Sequence, residues 1–477
     1  MLFNSVEFLI FYPIVTLGYF LLAQKYRWFW LLAASCYFYM FFKPIYILIL
    51  GVTIVIDYFV GVNLLKFQGK KRKWLLVASI IANVGILAVF KYYNFFVGNV
   101  NTLFATAGMG ARLAYLNILL PIGLSFHTFQ AMSYTIEVYR GNQQPEKHFG
   151  IYALYVMFYP QLVAGPIERP QSMLHQFTEK KTFNQADVSD GLKLMLWGLF
   201  KKIVVADRLA VYVGSAYDNY INQTGSTLIV ATFFFAIQIY CDFSGYSDIA
   251  RGAAKTMGFD LMVNFRRPYL AANITDFWRR WHISLSSWFK DYVYFPLGGN
   301  KVRLMQWCSN ILIVFLLSGI WHGANWTFVI WGLIHGLVTI AHKLVEKFDE
   351  KQGNSMVKRL LLVFSWKPLA IVINFAIVTF AWVFFRAGSV EQAFGILGKM
   401  LLHANAPVFT KTGVWMLLAC TGVGIVLVAD MAAEYRFKLA LLHHRNLAVR
   451  MASVLMLCLG ILLFGIFRNS SFIYFQF

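Results

Sequence analysis

Long apolar stretches dominate this chain of 477 residues. The hydrocarbon core of a bilayer is about 30 Å thick and a helix rises about 1.5 Å per residue, so about 20 consecutive apolar residues predict a membrane-spanning helix. Such stretches recur almost from end to end, which predicts an all-α integral membrane protein with about 11–13 transmembrane helices. Because 59% of the residues are hydrophobic and only 13% are charged, a soluble globular domain and a disordered chain are both excluded.

Basic residues outnumber acidic ones, and many of them lie between the apolar stretches. The chain has 42 Lys and Arg against 21 Asp and Glu, which is a formal net charge of +21. Cytoplasmic loops are rich in Lys and Arg, so Lys25, Arg27 and the basic run at 66–73 predict an N-terminus outside the cytoplasm. In this apolar context the positive charge indicates a lipid bilayer as partner and no nucleic acid. The connecting segments are short, so residues 1–477 are expected to form a single polytopic domain.

Motifs of soluble enzymes and of metal sites are missing from the sequence. It has no GxSxG, HExxH, GxxxxGK[ST] or GxGxxG string, and its five cysteines show no CxxC spacing. We therefore expect no bound metal and no permanently bound cofactor. No internal repeat is visible, which disfavours a transporter built from inverted halves.

One segment, Asn310–Leu344, places His322 and His335 within a long apolar run. An ionisable side chain inside a membrane span is costly, so it points to a functional site or to a structural hydrogen bond. On one straight helix these two histidines would point about 140° away from each other. They share a site only if the helix breaks, and Gly319 and Gly323 offer a place for the break. A neutral imidazole acts as a general base or as a proton relay, and the spacing leaves both roles open.

Two aspartates within predicted spans, Asp57 and Asp430, are interpreted differently. Tyrosines and asparagines lie near them in the sequence and can satisfy a buried carboxylate by hydrogen bonding. Both aspartates are therefore expected to be structural.

Residues 273–303 predict a helix on the membrane surface followed by a turn. Four apolar residues recur at helical spacing and form one stripe: Phe277, Trp281, Leu285 and Trp288. Arg279, Arg280 and His282 lie largely off this stripe, so they are expected on a cytoplasmic surface, where arginine binds phosphate groups. An aromatic and basic anchor at the membrane interface explains the same pattern.

Six strings in the sequence resemble motifs of the membrane-bound O-acyltransferase family, most closely its bacterial alginate O-acetyltransferase branch. They are LPIGLSFHTFQAMSYTIEVYRG (120–141), FYPQLVAGPIERP (158–170), QIYCDFSGYSDIARG (238–252), ITDFWRRWHISLSSWFKDYVYFPLGGN (274–300), GIWHGANWTFVIWGLIHG (319–336) and the terminal FIYFQF. Together with the opening MLFNSVEFL, the likeness covers nearly the whole chain. The resemblance implies a funnel of tilted helices through the membrane, with interfacial and re-entrant helices beside the spans.

The resemblance also implies roles for individual residues. His322, in the WHG string, matches the catalytic histidine of the family, and His335 is expected to support it. The DFSGYSD and FWRRWHISLS strings are expected to line the cytoplasmic entrance for the acyl donor, with four candidate residues: Asp242, Arg279, Arg280 and His282. Beyond the resemblance, the chemistry of the reaction makes Asn325 or nearby backbone N–H groups candidates to stabilise the oxyanion. The phenol of Tyr474 in FIYFQF is a candidate relay for the acyl group, and simple packing of FIYFQF explains the same string.

By the same resemblance, the protein takes an acetyl group from a cytoplasmic thioester donor, acetyl-CoA, and passes it across the bacterial cytoplasmic membrane. A periplasmic or extracellular O-acetyltransferase partner then places the group on a cell-envelope polysaccharide: alginate, peptidoglycan or another exopolysaccharide. Two alternatives stay open. One is transfer of D-alanine or another acyl group from a carrier protein to teichoic acid, and the other is a proton-coupled transporter.

Overall fold

The computed structural model describes residues 1–118, 120–163, 165–352, 366–402, 404, 407–408, 413–435, 437, 441–467 and 472–473. Helices are the only regular secondary structure in these ranges. Eight of the described helices are long and apolar enough to cross a membrane. The predicted all-α fold of an integral membrane protein is confirmed.

The eight candidate spans are fewer than the roughly 11–13 that the sequence predicts. The difference lies in apolar stretches whose helices are short, such as Val6–Leu21 with 16 residues and Gln24–Met40 with 17. At about 1.5 Å per residue, helices of that length reach about 24–26 Å, less than a hydrocarbon core of about 30 Å. Apolar composition alone does not show where a helix ends.

The chain forms two compact units. The first comprises Met1–Met195 and Tyr246–Met262, and the second comprises Leu196–Gly245 and Val263–Phe477. Helices that belong wholly to the first unit are α1 (Val6–Leu21), α2 (Gln24–Met40), α3 (Tyr46–Leu64), α4 (Gly69–Leu87), a π-helical segment (Ala88–Tyr92), α5 (Tyr93–Thr106), α6 (Leu124–Arg140), α7 (Phe149–Met157), α8 (Tyr159–Leu162) and α9 (Pro170–Thr178). Two further helices, α10 (Gln185–Leu199) and α12 (Gly225–Thr256), contribute residues to both units.

A buried polar cluster joins α3, α4 and α6 in the first unit. Its centre is the carboxylate of Asp57, which accepts a 2.6 Å hydrogen bond from Ser79 and a 2.8 Å hydrogen bond from Asn83. Ser79 also donates to the hydroxyl of Thr135 on α6. The structural interpretation of Asp57 is confirmed, since neighbouring helices supply the partners that a buried carboxylate needs.

The second unit contains all the predicted site residues that the structure describes. Its remaining helical elements in chain order are a π-helical segment (Phe200–Ala206), α11 (Asp207–Tyr217), two 3₁₀ turns (Tyr220–Asn222 and Pro268–Leu270), α13 (Ile274–Arg280), α14 (Ile283–Phe289), a π-helical segment (Lys290–Tyr294), α15 (Leu304–His322), α16 (Trp326–Gln352), α17 (Lys367–Arg386), α18 (Val390–Leu402), α19 (Gly413–Glu434), a 3₁₀ turn (Leu441–His443) and α20 (Leu447–Phe464).

The helices α15 and α16 form a tight hairpin. A Cβ atom on Gly319 would lie 2.3 Å from the carbonyl oxygen of Phe328, and one on Gly332 would lie 2.4 Å from that of Phe315. Glycine at these positions lets the two backbones approach, as small residues do between membrane helices. The hairpin turns directly after His322, where α15 ends, so the predicted break is confirmed.

The predicted surface helix at 273–303 is broken, which corrects that expectation. It divides into α13 and α14 at His282, whose φ of 43° lies in the left-handed region. Two backbone hydrogen bonds to a neighbouring segment accompany the break: Arg266 N–H to the Arg280 carbonyl, and Ile283 N–H to the Asn264 carbonyl. The helical pattern was real, because the four residues of the apolar stripe are all buried. The helix therefore ends because its backbone pairs with the segment around Asn264, although the spacing of the apolar residues continues.

Candidate active site

His322 is the last residue of α15 and is buried at the turn of the hairpin. Aromatic rings surround its imidazole: the centroids of Trp321, Trp331 and Phe385 lie 4.9, 5.0 and 5.2 Å from it. These rings form a largely apolar wall beside the imidazole. An imidazole in its neutral form can act as a general base.

His335 lies on α16 and contacts the same tryptophan. The ring centroid of Trp331 is 4.9 Å from His335, and that of Trp278 is 5.0 Å from it. Three further rings complete an aromatic cage: Phe277, Phe315 and Trp382. Neither nitrogen of His335 has a hydrogen-bond partner among the described residues. The structure therefore brings His322 and His335 together through Trp331, a residue that the sequence analysis did not single out.

His282 lies in the interior and not on the surface where the amphipathic pattern placed it. It is 1% exposed, and burial lowers the pKa of its imidazole to about 3. Its Nδ1 lies 3.2 Å from Oδ1 of Asn264, which also accepts from the backbone and hydroxyl of Ser284. Because an amide oxygen only accepts, Nδ1 of His282 carries the proton and Nε2 holds the lone pair.

A tryptophan connects His282 to the catalytic candidate. The ring of Trp321 lies 6.1 Å from that of His282 and 4.9 Å from that of His322. His282 thus belongs to the same aromatic cluster as His322. A strained backbone at a buried polar residue is typical of functional sites, and this signal is visible only in the structure.

Arg279 and Arg280, the two arginines predicted to bind the donor, have different surroundings in the structure. Arg280 lies 3.0 Å from Asp276 and 3.0 Å from Glu434, which also binds Arg267 at 2.9 Å. This network holds the guanidinium of Arg280 in place between two carboxylates. Arg279, in contrast, is exposed on α13. Of the two, Arg279 is better placed to meet a phosphate group.

Asp242 belongs to a buried ion cluster. Nζ of Lys202 lies 2.7 Å from Oδ1 of Asp242 and 2.8 Å from Oδ1 of Asp207, and all three residues are buried. Lys202 was not among the predicted site residues, although two adjacent lysines at 201–202 within an apolar stretch were a visible signal. Lys202 lies in a π-helical segment, a feature often found at functional sites.

The same carboxylate holds the end of the chain. The backbone N–H of Ile473 donates a 2.7 Å hydrogen bond to Oδ2 of Asp242, and the ring of Phe472 lies 5.4 Å from that of Phe243. Phe243 in turn lies 4.6 Å from the ring of His282. Residues 472–473 therefore dock beside the cluster. Tyr474, the predicted acyl relay, lies outside the described residues.

Asn325 has two hydrogen bonds that explain its presence without catalysis. Its Nδ2 donates to the carbonyl of Gly388 at 2.8 Å, and its Oδ1 accepts from the backbone N–H of Thr327 at 3.1 Å. The second bond caps the start of α16. Asp430 is similarly satisfied, since it accepts a 2.8 Å hydrogen bond from the phenol of Tyr240, as its structural interpretation predicted.

Comparison with known proteins gives one family and a consistent group of relatives. A model of the membrane-bound O-acyltransferase family matches residues 16–386. The chain is 37% identical over 436 residues to the peptidoglycan O-acetyltransferase of Helicobacter pylori, covering 84% of this chain and 80% of that protein. It is 36% identical over 404 residues to a probable alginate O-acetylase of Pseudomonas aeruginosa, covering 84% and 75%. The teichoic acid D-alanyltransferase of Bacillus subtilis is 28% identical over 293 residues, covering 56% and 69%.

Proposed function

This chain belongs to the membrane-bound O-acyltransferase family, and we propose that it moves an acetyl group from a cytoplasmic thioester, acetyl-CoA, across the bacterial cytoplasmic membrane for O-acetylation of a cell-envelope polysaccharide. The chain is a multi-pass membrane protein with eight candidate spans in its described part. The buried histidines alone left a proton-coupled transporter open as an alternative, and membership of an acyltransferase family replaces that alternative. Relatives named for peptidoglycan and alginate acetylation support acetyl transfer.

The observation that carries the proposal is the position of His322. It ends a membrane helix at a tight turn, buried against the rings of Trp321, Trp331 and Phe385. In the proposed reaction its imidazole removes the proton of the accepting hydroxyl. The hydroxyl oxygen attacks the thioester carbonyl carbon, the C–S bond breaks, and the imidazolium returns the proton to the thiolate of CoA. The aromatic wall excludes water, which would otherwise hydrolyse the thioester.

The neighbouring residues have supporting roles in this proposal. His335 shares Trp331 with His322 and supports its position in the aromatic cluster. Arg279 meets the phosphates of the donor from its exposed position on α13. His282, Arg280 and Asp242 shape the donor side from within, through the contacts described above.

The acetyl group leaves this protein for a partner. The phenol of Tyr474 is the proposed relay, because an acyl ester of a phenol is reactive enough to be passed on. The proposed recipient is a periplasmic or extracellular O-acetyltransferase, which selects the polysaccharide. Alginate, peptidoglycan and other exopolysaccharides are all candidate acceptors.

A second candidate rests on the similarity to the teichoic acid D-alanyltransferase of Bacillus subtilis. In that case the donor would be an acyl group on a carrier protein. The lower identity and the smaller share of the chain favour acetyl transfer over this alternative.

The test uses purified full-length protein and acetyl-CoA labelled in the acetyl group. CoA release and protein-bound label are followed for wild type, His322→Ala, Tyr474→Phe and, as a control, the exposed surface variant His175→Ala, each with and without a soluble alcohol as acceptor. We expect His322→Ala to lose about 10²–10⁴-fold in CoA release while it stays folded, and His175→Ala to match wild type. Tyr474→Phe should lose protein-bound label and should release CoA only when the soluble acceptor is present. Equal release by wild type and His322→Ala would overturn the general-base role, and activity only with a carrier-protein thioester would favour the second candidate.

A further inference from the structure

An apolar groove lies between α19 and α20 in the second unit. It consists of two adjoining cavities of about 670 and 540 Å³. Both cavities are lined by the same five residues: Trp197, Thr421, Ile425, Leu441 and Leu442. Together they form a continuous depression along the two helices, from the 3₁₀ turn before α20 to Phe464 at its end.

The groove is built into the fold at both ends of α20. At the C-terminal end, the guanidinium of Arg208 donates a 2.6 Å hydrogen bond to the carbonyl of Phe464, and the N–H of Ile466 donates to the carbonyl of Ile203. At the other end α20 packs on the 3₁₀ turn Leu441–His443. These hydrogen bonds and contacts hold α20 against the π-helical segment Phe200–Ala206. The groove lies on the side of α20 that faces α19.

Small residues keep the groove wide along its length. Gly422 and Gly424 on α19 and Gly460 on α20 all contribute to its lining. A Cβ atom on Gly424 would meet nothing within 4 Å. The space is therefore large enough to accept added methylene groups at this position without a clash.

Both walls are candidate membrane spans, with mean hydropathies of 2.1 for α19 and 2.4 for α20. Only 6% of the α20 span is buried inside the protein. An empty apolar groove in a bilayer would forfeit dispersion contacts along its walls, and water gains no hydrogen bonds there. A hydrocarbon chain fills such a groove at little cost, because the surrounding medium is itself hydrocarbon.

The residues at one end of the groove are basic, which favours lipids with a negatively charged headgroup. The described residues just before α20, 441–446, include His443, His444 and Arg445 and no Asp or Glu. His443 itself lines the groove. The nearest acidic residue in the sequence, Glu434, is held by Arg267 and Arg280. The guanidinium of Arg445 and the two imidazoles at the end of an apolar groove are complementary to the negatively charged headgroup of a lipid whose acyl chain lies in the groove.

We propose that this groove is a binding site for an anionic phospholipid, with one acyl chain between α19 and α20 and the phosphate at His443, His444 and Arg445. The site lies outside the catalytic residues, and the inference does not depend on the proposed function. It has a structural consequence, because α20 leads into the segment whose Phe472 and Ile473 dock beside Asp242. A lipid bound beside α20 would stabilise the position of this helix and therefore the docking of Phe472 and Ile473 that follow it.

The test counts lipids on the full-length protein by native mass spectrometry, after delipidation and addition of phosphatidylglycerol or phosphatidylcholine. Wild type should retain one phosphatidylglycerol in preference to phosphatidylcholine. Gly424→Leu fills the groove and should lose this lipid. Gly85→Leu on α4 is the matched control, because a Cβ there also meets nothing within 4 Å, and it should bind as wild type does. Arg445→Gln should weaken phosphatidylglycerol binding about fivefold and leave phosphatidylcholine unchanged.

Two results would overturn the proposal. Equal retention of both lipids would contradict the anionic headgroup, and unchanged binding by a folded Gly424→Leu would contradict the location. If Gly424→Leu fails to fold by thermal unfolding, Thr421→Leu replaces it, since Thr421 lines both cavities. Retained binding in that variant contradicts the location equally.

Discussion

The backbone N–H of Ile473 donates a 2.7 Å hydrogen bond to the carboxylate of Asp242, a residue 231 positions earlier in the chain. The same carboxylate binds the buried ammonium of Lys202 at 2.7 Å. One side chain on α12 thus neutralises a charge inside the protein and anchors the C-terminal segment. The two tasks are coupled, because Lys202 fixes the carboxylate that Ile473 binds.

Asp242→Asn should destabilise the protein and release the segment. The substitution removes one of the two carboxylates of Lys202, and breaking a buried ion pair costs about 3–5 kcal/mol. We expect the low end, since Asp207 remains 2.8 Å from Lys202. Thermal unfolding should show a lower Tm, and carboxypeptidase should remove the C-terminal residues faster. Asp248→Asn is the control, because Asp248 forms a less buried ion pair with Arg251, and it should change the Tm little. An unaltered digestion rate in Asp242→Asn would contradict the anchoring role.

Gly319→Ala should open the α15–α16 hairpin and impair the site. The added Cβ would lie 2.3 Å from the backbone oxygen of Phe328, which cannot move without shifting α16. We expect a loss of about 1–3 kcal/mol in the free energy of unfolding and a lower rate of CoA release. Gly336→Ala serves for comparison, since its nearest contact is the flexible end of Leu312 at 3.1 Å. Equal effects of the two variants would show that backbone approach at Gly319 is not what positions His322.

Asn325→Ala separates a structural role from a catalytic one. Loss of the cap on α16 and of the bond to Gly388 should cost about 1 kcal/mol of stability and reduce kcat less than tenfold. An oxyanion donor would behave differently, because its removal lowers kcat by about 10²–10³. Steady-state kinetics and thermal unfolding on the same preparation distinguish the two. A hundredfold fall in kcat at an unchanged Tm would restore the oxyanion role.

Acidification should destabilise the protein through His282. Burial lowers the pKa of its imidazole to about 3 in the folded state, whereas an unfolded histidine has a pKa of about 6.5. Between these values the unfolded state binds more protons, so stability falls as pH falls below about 6.5, by at most about 1.4 kcal/mol per pH unit from this residue. Asn tolerates the left-handed backbone at this position, so His282→Asn should show a shallower decline of Tm between pH 6.5 and 4. Parallel curves for the two proteins would contradict the assignment.

The membrane fold and the hairpin break at His322 were predictable because both depend on local features. A run of apolar residues has few alternatives to a membrane helix, and a histidine beside Gly323 in such a run marks a place where the helix can end. Asp57 and Asp430 are hydrogen-bonded as a buried carboxylate requires, but their donors are Ser79, Asn83 and Tyr240, which are distant in the sequence and not the neighbouring residues that were expected to supply them.

Other features depend on contacts between residues far apart in the chain, and only the folded structure shows them. The stripe from Phe277 to Trp288 has helical spacing, yet pairing with the segment around Asn264 breaks the helix and turns His282 inward. The spacing of apolar residues along the chain cannot show this pairing, because the paired segments are separate in the sequence. In the same way, the resemblance placed Asp242 at the entrance for the acyl donor, and only the structure shows that its carboxylate is buried against Lys202 and Ile473. Composition decides which segments enter the membrane, whereas long-range packing decides which polar side chains meet one another there.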